Sequence, residues 1–424
     1  MLTTILRIGR YLHLDTTIFL FAAGGIQALT FILLARGLGA GGFGRLAILQ
    51  ALVQLSLDFV SLGAGEALVR RVSRDRHQYP SALFHAIAMT ILTAIPISIV
   101  LALLARNIDT SIPFFNILLF TFGEATGNRL GAIVELAFIS HSLVRSANLI
   151  RIVQAMLKLL SVVVAVSWLS VLQVENWALV QGITTLLASV ICLLIAIRQL
   201  GVPRVRLHLE DLGFGFFMAT SHLSVVIQGA ADRLLLGLFA GAEVAGVYSA
   251  AMRGVQFGLI PVQGVLRNSF PAFFSAGAQG VAGTYSVARG NLKKVFFIGS
   301  LVAIILICAA DLLAMALGHG FADTSKVLRW LAFVPLFQGV QYTLDNSVSG
   351  ADRPLLVTLV NAFGTALFVF LVAGLARPLG IAGAVIAVYT SQLCVISIYA
   401  ALLWNWLRRE KMVKRHRDLT LQAD

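Results

Sequence analysis

Arginine side chains lie inside several long apolar stretches of this sequence. An ionisable group in hydrocarbon costs at least about 2.5 kcal/mol, so it normally faces a cavity or a partner group. A guanidinium group can hold two oxygens of a phosphate at once, which suits it to grip a pyrophosphate. The candidate anion ligands are Arg129, Arg151, Arg233, Arg253 and Arg267.

Carboxylates in the same kind of stretch indicate a second chemistry. A carboxyl group in a medium of low dielectric constant binds a proton more readily than it does in water, so it could carry a coupling proton. The candidates for ion coupling are Asp58, Glu124, Glu135, Asp232 and Asp345. Glu66 is expected to have a plainer role, because it lies close to Arg70 at a helix end, where a surface ion pair can form.

Polar residues recur at helical spacing in two of these stretches. One stretch carries Gln50, Gln54 and Asp58, and the other carries Arg253, Gln256, Gln263 and Arg267. Residues three, four or seven positions apart share one face of a helix, so each set forms a polar stripe. We expect the stripes, with Lys158 from another stretch, to line a polar cavity. The alternative is that the charges pair as buried ions between helices, and for any single residue both remain open.

The composition places most of the chain in lipid. Of 424 residues, 58% are hydrophobic and only 12% are charged, whereas about a quarter of the residues in a soluble protein are charged. The net charge of +13 fits basic loops at a membrane surface rather than a nucleic-acid partner. No loop is long enough for a soluble catalytic domain, and the three cysteines lack metal-ligand spacing. Neither an enzyme nor a bound cofactor is therefore predicted.

Twelve apolar windows are each long enough to cross a bilayer as a helix. Backbone groups in lipid must be satisfied within the segment, so an all-α, polytopic membrane protein with twelve transmembrane helices is predicted. Most Lys and Arg residues of the connecting segments fall on the side of the two termini, which predicts that both termini are cytoplasmic. The windows are 16–36, 44–66, 82–105, 113–138, 146–170, 176–199, 213–238, 246–271, 292–317, 327–349, 354–376 and 381–406.

The two halves of the sequence resemble each other. Seven residues between positions 33 and 54, among them Gly39, Gly44 and Gln54, are identical to the residues 202 positions later. An even number of helices per repeat gives both halves the same orientation, with substrate handled at their interface. The expected organisation is a six-helix bundle over 1–207, a second over 208–407, and a basic cytoplasmic tail over 408–424.

A glycine-rich segment, Gly39 to Gly44, matches the dinucleotide-binding pattern G-x-G-x-x-G. That pattern needs a preceding strand and a soluble βαβ unit, whereas here it follows an apolar span. We therefore expect a tight turn between two helices instead of a nucleotide site.

Two short segments carry a family resemblance. The first is LLARGLGAGGFGRLAILQA over 33–51, followed by Leu62-Gly63 and Arg70-Arg71. The second is ADRLLLGLFAGAEVAGVYSA over 231–250, in which Asp232-Arg233 precedes Gly241 and the segment Gly246 to Tyr248. On these residues the chain resembles Wzx-type O-antigen and exopolysaccharide flippases of the multidrug/oligosaccharidyl-lipid/polysaccharide exporter superfamily.

This resemblance implies a V-shaped pair of six-helix bundles, like that of MATE transporters, that works by alternating access. It implies an undecaprenyl-pyrophosphate-linked oligosaccharide as substrate and antiport coupling to an ion gradient. The membrane would be the bacterial inner membrane, and the partner proteins would be a polysaccharide polymerase and a chain-length regulator.

Two other functions remain open at the level of sequence. A multidrug exporter of the same fold is the nearest alternative, although the several intramembrane arginines argue against a cationic substrate. A membrane-embedded polysaccharide polymerase is the second alternative. Such enzymes generally need a sizeable external loop, and the external loops predicted here are short.

Overall fold

The computed structural model describes residues 2–168, 173–221, 223–277, 280–318, 320–351 and 353–421. Over these ranges the chain is helical almost throughout and contains no β-strand, which confirms the predicted all-α fold. The chain divides into two compact units, Met1–Ala230 and Ala231–Asp424. The first unit extends past the predicted boundary at 207/208 because the segment after residue 200 packs against it, as described below.

The first unit is built from eight helices, the last of which continues into the second unit. They are α1 Leu2–Ser56, α2 Ala64–Arg74, α3 Tyr79–Ile108, α4 Phe114–Ser140, α5 Val144–Trp168, α6 Val174–Leu200, α7 Leu212–Ser221 and α8 Leu223–Ala240. Helices α4 and α6 form the most extensive packing in this unit. Glycines allow that packing, since a Cβ on Gly123 or Gly127 would overlap the backbone of α6.

The second unit contains the end of α8 and six further helices. They are α9 Ala242–Gly277, α10 Val281–Leu317, α11 Thr324–Leu331, α12 Val334–Gly350, α13 Pro354–Leu379 and α14 Ile381–Leu421. Helix α12 packs against both α9 and α10. It therefore occupies the interior of this unit, and polar side chains on it are shielded by helices rather than facing lipid.

The surfaces of these helices are apolar where a soluble protein would be polar. Side chains of Leu92, Phe297 and Phe370 are 66%, 71% and 75% exposed. Seven helices in the described part of the chain are long and apolar enough to cross a membrane. Lipid contact accounts for such faces, because apolar surface is costly in water and neutral in hydrocarbon. The chain is thus a multi-pass membrane protein, and the count of twelve spans stays a prediction.

A sharp bend at Gly39 separates the first two predicted spans. The first span lies in α1, whereas the second, predicted over 44–66, leaves α1 at Ser56 and runs through a break into α2. Gly39 has φ 67° and ψ 175°, a region of backbone space that is essentially restricted to glycine. The glycine-rich segment is therefore a turn between two helical segments, as expected, and it has no strand before it.

Replacing Gly39 with alanine is expected to destabilise the protein by about 1–3 kcal/mol, because the Cβ would disfavour the positive φ. No atom lies within 4 Å of a Cβ built on Gly39 or on Gly41, and the φ of Gly41 is not positive. Gly41→Ala is therefore a matched control and should be close to neutral. Thermal unfolding of the two purified variants in detergent compares them, and equal melting temperatures would contradict the prediction.

The helical path is interrupted again between α1 and α2. Ser61, Leu62 and Gly63 have φ values of 81°, 47° and 68°, three consecutive residues in the left-handed region. Two of them are not glycine, and each such residue costs on the order of 1–3 kcal/mol, so the surrounding structure must hold them. The backbone N–H of Ser61 donates to Thr93 Oγ1 of α3 at 2.8 Å. A Cβ on Gly63 would overlap the backbone of Gly215, which shows how closely α7 approaches this break.

Candidate functional site

The first polar cluster surrounds Arg129, a buried arginine on α4. Its Nε donates to Ser61 Oγ at 2.7 Å, inside the break between α1 and α2. Its Nη2 donates to Glu66 at 2.7 Å, and its Nη1 lies 3.8 Å from Asp58. One guanidinium group therefore joins a carboxylate inside the break, Asp58, to one in the first turn of α2, Glu66.

The expected ion pair between Glu66 and Arg70 is wrong. The Glu66 carboxylate contacts Arg129, whereas the Arg70 guanidinium lies 4.6 Å from the ring centroid of Phe214. The reason is that Arg129 needs counter-ions in the interior, while Arg70 can stack on an aromatic ring near the helix end.

A second cluster connects α4, α5 and α6 within the first unit. Lys158 Nζ lies 3.8 Å from Glu124 and 3.3 Å from the amide oxygen of Asn128. The Asn128 amide donates to Glu124 at 2.9 Å, and the Thr185 hydroxyl also donates to Glu124. The buried Glu124 carboxylate is thus both ion-paired and hydrogen-bonded.

A third pair, Arg151 and Glu135, links α4 and α5 closer to their connecting loop, and both side chains are partly exposed. Each candidate carboxylate of the first unit consequently has a basic partner. The charged residues predicted in this unit therefore form ion pairs that connect its elements.

Gln54 is half-buried on α1 and faces α8, since a Cβ on Gly229 would lie 3.4 Å from its amide nitrogen.

In the second unit, Asp232 on α8 is only 2% exposed and is anchored by two hydrogen bonds. The Tyr248 hydroxyl of α9 donates to its Oδ2 at 2.9 Å, and the backbone N–H of Arg233 donates to its Oδ1 at 2.7 Å. The Arg233 side chain is farther from the carboxylate than these two donors, with its Nε 3.8 Å from Oδ1. This arrangement explains the sequence pattern, in which an acidic-Arg pair precedes a glycine turn and a tyrosine.

Arg253 on α9 differs from the other membrane arginines. In the part of the chain that the structure describes, no carboxylate forms an ion pair with Arg253, and the charge that acts on it is the like charge of Arg233. From its position in α9, Arg253 lies ~16 Å from the start of that helix, and Arg233 lies ~10 Å from the end of α8. Arg253 therefore lies about three helical turns, and Arg233 about two, from the connection between α8 and α9.

The stripe predicted on α9 continues beyond Arg253. Gln256 and Gln263 are exposed, as expected for residues that face open space. Gln263 lines a cavity of about 400 Å³ together with Phe270, Tyr342, Asp345 and Asn346. The fourth member of the stripe, Arg267, has a side chain that lies outside the described residues.

Asp345 on α12 has polar neighbours but no basic one among the described residues. The Asn361 amide donates to its Oδ2 at 3.3 Å, and Gln341 donates to the Asn361 oxygen at 3.2 Å. Its Oδ1 makes no hydrogen bond of normal geometry, although the Tyr399 hydroxyl lies near the carboxylate. Asp345 is thus a buried acid with no cation beside it among the described side chains, and it lies at the wall of the cavity next to Gln263.

The segment after α6 is tied to the first unit outside the spans. The Arg71 guanidinium contacts both Glu210 and Asp211, and its hydrogen bond to Asp211 raises the pKa of Arg71. The pKa of Glu210 falls to about 2, because the carboxylate accepts its own backbone N–H and a bond from Arg71. The backbone N–H of Arg204 also donates to the Pro80 carbonyl at 2.8 Å. These contacts place the segment with the first unit.

Comparison of the sequence with known families gives one match. A family model for polysaccharide biosynthesis proteins matches residues 15–276, which is more than half of the chain. No curated protein matches the sequence.

Solved structures of the same architecture are transporters and flippases. An inward-facing multidrug resistance MATE family transporter of the MOP superfamily matches with a TM-score of 0.73 and 16% identity, over 92% of this chain and 96% of the other. The lipid II flippase MurJ, in an inward closed conformation, matches with a TM-score of 0.69 and 15% identity, over 93% and 87%. A MOP superfamily transporter from Pyrococcus furiosus, whose reversed binding-pocket polarity suggests a different function, matches at 0.62 and 16%, over 92% and 95%. At these identities the matches show the fold.

Proposed function

The chain belongs to the polysaccharide biosynthesis protein family, and from this we propose that it is a flippase for an undecaprenyl-pyrophosphate-linked oligosaccharide. The family and the fold are those of membrane transporters and flippases, not of enzymes. In this proposal the two units alternate access to the two sides of the bacterial inner membrane, and both termini are cytoplasmic. A polysaccharide polymerase and a chain-length regulator act on the product side.

The observation that carries the proposal is Arg253, a membrane cation without a described counter-ion and with Arg233 as its charged neighbour. Asp232 contacts Arg233, but no described carboxylate pairs with Arg253, so an anion beside Arg253 would offset the repulsion between the two like charges. A pyrophosphate has several oxygens and a charge of the required sign, and guanidinium groups hold such oxygens in pairs. The charged end of a lipid-linked sugar therefore fits this position better than any neutral lipid.

The same two arginines argue against a multidrug exporter with cationic substrates. A cation placed near Arg253 and Arg233 would be repelled, and like-charge contacts in a site of low dielectric cost several kcal/mol. For the Pyrococcus furiosus transporter, pocket polarity is likewise the property that suggests a distinct function within this fold. A polysaccharide substrate agrees with the family and with the charge.

The proposed function is tested by removing the protein from its host and locating the lipid-linked sugar. We expect the pyrophosphate-linked repeat unit to accumulate in the cytoplasmic leaflet. If the units instead collect unpolymerised in the outer leaflet, the protein is a polymerase and the proposal fails.

Ion coupling is assigned to Asp345 within this proposal. Asp58, Glu124 and Glu135 each have a basic partner, and Asp232 has both Tyr248 and Arg233. Asp345 has no basic partner in the described residues and borders a cavity wide enough to admit water. It can therefore exchange a proton or a small cation without breaking an ion pair.

Replacing Asp345 with asparagine should uncouple transport from the proton gradient. Wild-type export is expected to fall several-fold when the gradient is collapsed, whereas the variant should show low export that does not respond. Asp323→Asn is the control, because Asp323 is exposed in the same unit and makes no side-chain cap. An undiminished response of the Asp345 variant to gradient collapse, with normal thermal stability, would remove Asp345 from the coupling mechanism.

A further inference from the structure

We propose that His85 and His208 form an acid-sensitive latch, which holds the segment before α7 against α3. His208 belongs to the segment 201–211, which connects α6 to α7, and His85 lies near the start of α3. The latch is closed while His85 is neutral, and protonation of His85 opens it. It is independent of the proposed substrate, because all of its residues lie in the first unit.

The two histidines meet in the interior of the first unit. Each is only 3% exposed, and their ring centroids are 6.0 Å apart. The backbone N–H of His208 donates to Nδ1 of His85 at 3.3 Å. A ring nitrogen accepts only while it carries no proton, so this bond requires a neutral His85 with its proton on Nε2. Acid therefore acts directly on the bond that holds the segment.

The His208 ring has partners that suit a protonated imidazole. Ser81 Oγ donates to the Gln78 carbonyl at 3.0 Å, so it is the acceptor towards Nε2 of His208, 3.1 Å away. Nδ1 of His208 lies 3.3 Å from the Glu210 carboxylate, which has no proton to donate. Because both ring nitrogens face acceptors, acid leaves these two contacts intact. The titration that opens the latch is that of His85.

The charged neighbours of His85 do not favour a second cation beside His208. Among the described residues, the charged groups that act on His85 are His208, Glu210 and Asp211 from the segment and Arg71 from α2. Both carboxylates already contact the Arg71 guanidinium group, Glu210 at 2.7 Å. A proton on His85 would therefore place two positive rings side by side, where little water is present to screen them.

The latch also positions the start of α7. The segment ends in a short 3₁₀ turn, Leu209–Asp211, which leads directly into α7 at Leu212. Helix α7 in turn packs against the break between α1 and α2, since a Cβ on Gly215 would lie 2.1 Å from the Leu62 carbonyl oxygen. Opening of the latch therefore removes an anchor from the helix that covers this strained break.

Opening of the latch is linked to the uptake of one proton. An imidazole in water has a pKa of about 6.5, whereas the closed latch requires a neutral ring at His85. Stability that depends on a neutral imidazole is present above that pKa and is lost as the pH falls below it. From about pH 7.5 to about pH 5.5, we expect opening of the segment to become about tenfold more frequent.

Hydrogen–deuterium exchange of the full-length protein in lipid nanodiscs tests the latch. Peptides that cover 201–212 are followed by mass spectrometry at both pH values, after correction for the intrinsic effect of pH on exchange, because exchange reports local opening. The backbone amide of His208 is itself the donor of the latch, so its exchange measures opening directly. In wild type, the corrected exchange of these peptides should rise about tenfold in acid.

His85→Asn is the diagnostic variant. The amide oxygen of asparagine can accept from the His208 N–H in place of Nδ1, and it does not titrate in this range. We expect this variant to protect the segment at neutral pH like wild type and to lose the rise in acid. His77→Asn is the matched control, because His77 is exposed just before α3, and it should keep the rise.

Three results would overturn the latch. The first is corrected wild-type exchange over 201–212 that is equal at the two pH values. The second is a His85→Asn protein that protects the segment at neutral pH and still opens in acid. The third covers the case in which His85→Asn fails to protect the segment at all. His208→Gln then decides, since it keeps the backbone donor and should keep the rise, and loss of the rise would assign the titration to His208. None of these outcomes affects the proposed function.

Discussion

Replacing Arg253 with alanine is expected to abolish surface-polysaccharide export while the protein remains in the membrane. Arg253 has no described carboxylate partner, so its removal breaks no internal ion pair and should leave the fold intact. It does remove the cation that binds the substrate pyrophosphate. Truncating one partner of a buried charge pair costs about 2–5 kcal/mol, which corresponds to a loss of ~30-fold or more.

The effect of the Arg253 charge on export can be separated from the effect of its planar guanidinium group. Arg253→Lys keeps the charge but not the planar fork, so we expect partial export, about tenfold below wild type. Arg409→Ala is the control, because it removes one positive charge from an exposed position on α14. Export is measured as surface polysaccharide relative to the amount of protein in the membrane fraction. Normal export by a normally expressed Arg253→Ala protein would refute the assignment.

Replacing Arg129 with alanine is expected to destabilise the protein severely rather than to remove a substrate contact. The guanidinium group joins Asp58, Glu66 and the Ser61 hydroxyl across the break between α1 and α2. Its loss removes the guanidinium contact from two partly buried carboxylates. Removing one partner of a buried ion pair costs about 3–5 kcal/mol, which is a large part of the stability of most folded proteins.

A neutral replacement of the whole cluster distinguishes a structural role from a binding role. The triple variant Arg129→Met, Asp58→Asn, Glu66→Gln contains no unpaired charge, so it should recover much of the stability lost in Arg129→Met alone. Thermal unfolding in detergent measures both proteins. If Arg129→Met unfolds at the wild-type temperature yet no longer exports, Arg129 is a substrate ligand, as the sequence also allows.

The sequence predicts the helices well because lipid imposes a strong and local constraint. Long apolar stretches must become helices in a bilayer, and the bend at Gly39 follows from glycine where two such stretches meet. The stripe on α9 was also predictable, since helical spacing alone puts Gln256 and Gln263 on the face of Arg253. Helical periodicity therefore predicts which residues share one face of a helix.

Helical periodicity does not predict which residues of another element pack against that face. Arg129 on α4 and Asp58 in the break after α1 are far apart in the sequence, and only packing decides that they meet. Glu66 shows the same limit, because its neighbour in the sequence is Arg70 and its partner in space is Arg129. Arg129 has ion pairs, whereas Arg253 has none among the described residues, and such a difference is visible only in three dimensions.

The break between α1 and α2 was not predictable either. Only Gly63 signals a left-handed backbone, whereas Ser61 and Leu62 adopt it because α3, α4 and α7 surround them. The predicted division at 207/208 followed from the count of apolar spans and from the internal repeat. The ion pairs of Arg71 with Glu210 and Asp211, which join the following segment to the first unit, depend on a turn that no periodicity indicates.

The central claim is that this chain moves a lipid-linked pyrophosphate across a bilayer by means of Arg253. The most direct measurement uses proteoliposomes that contain the purified protein and a fluorescent undecaprenyl-pyrophosphate-linked sugar, with a membrane-impermeant quencher to count the label in each leaflet. We expect wild type to equilibrate the label between leaflets and Arg253→Ala to behave like protein-free vesicles. Equal redistribution by wild type and Arg253→Ala, or none by wild type above protein-free vesicles, would contradict the account.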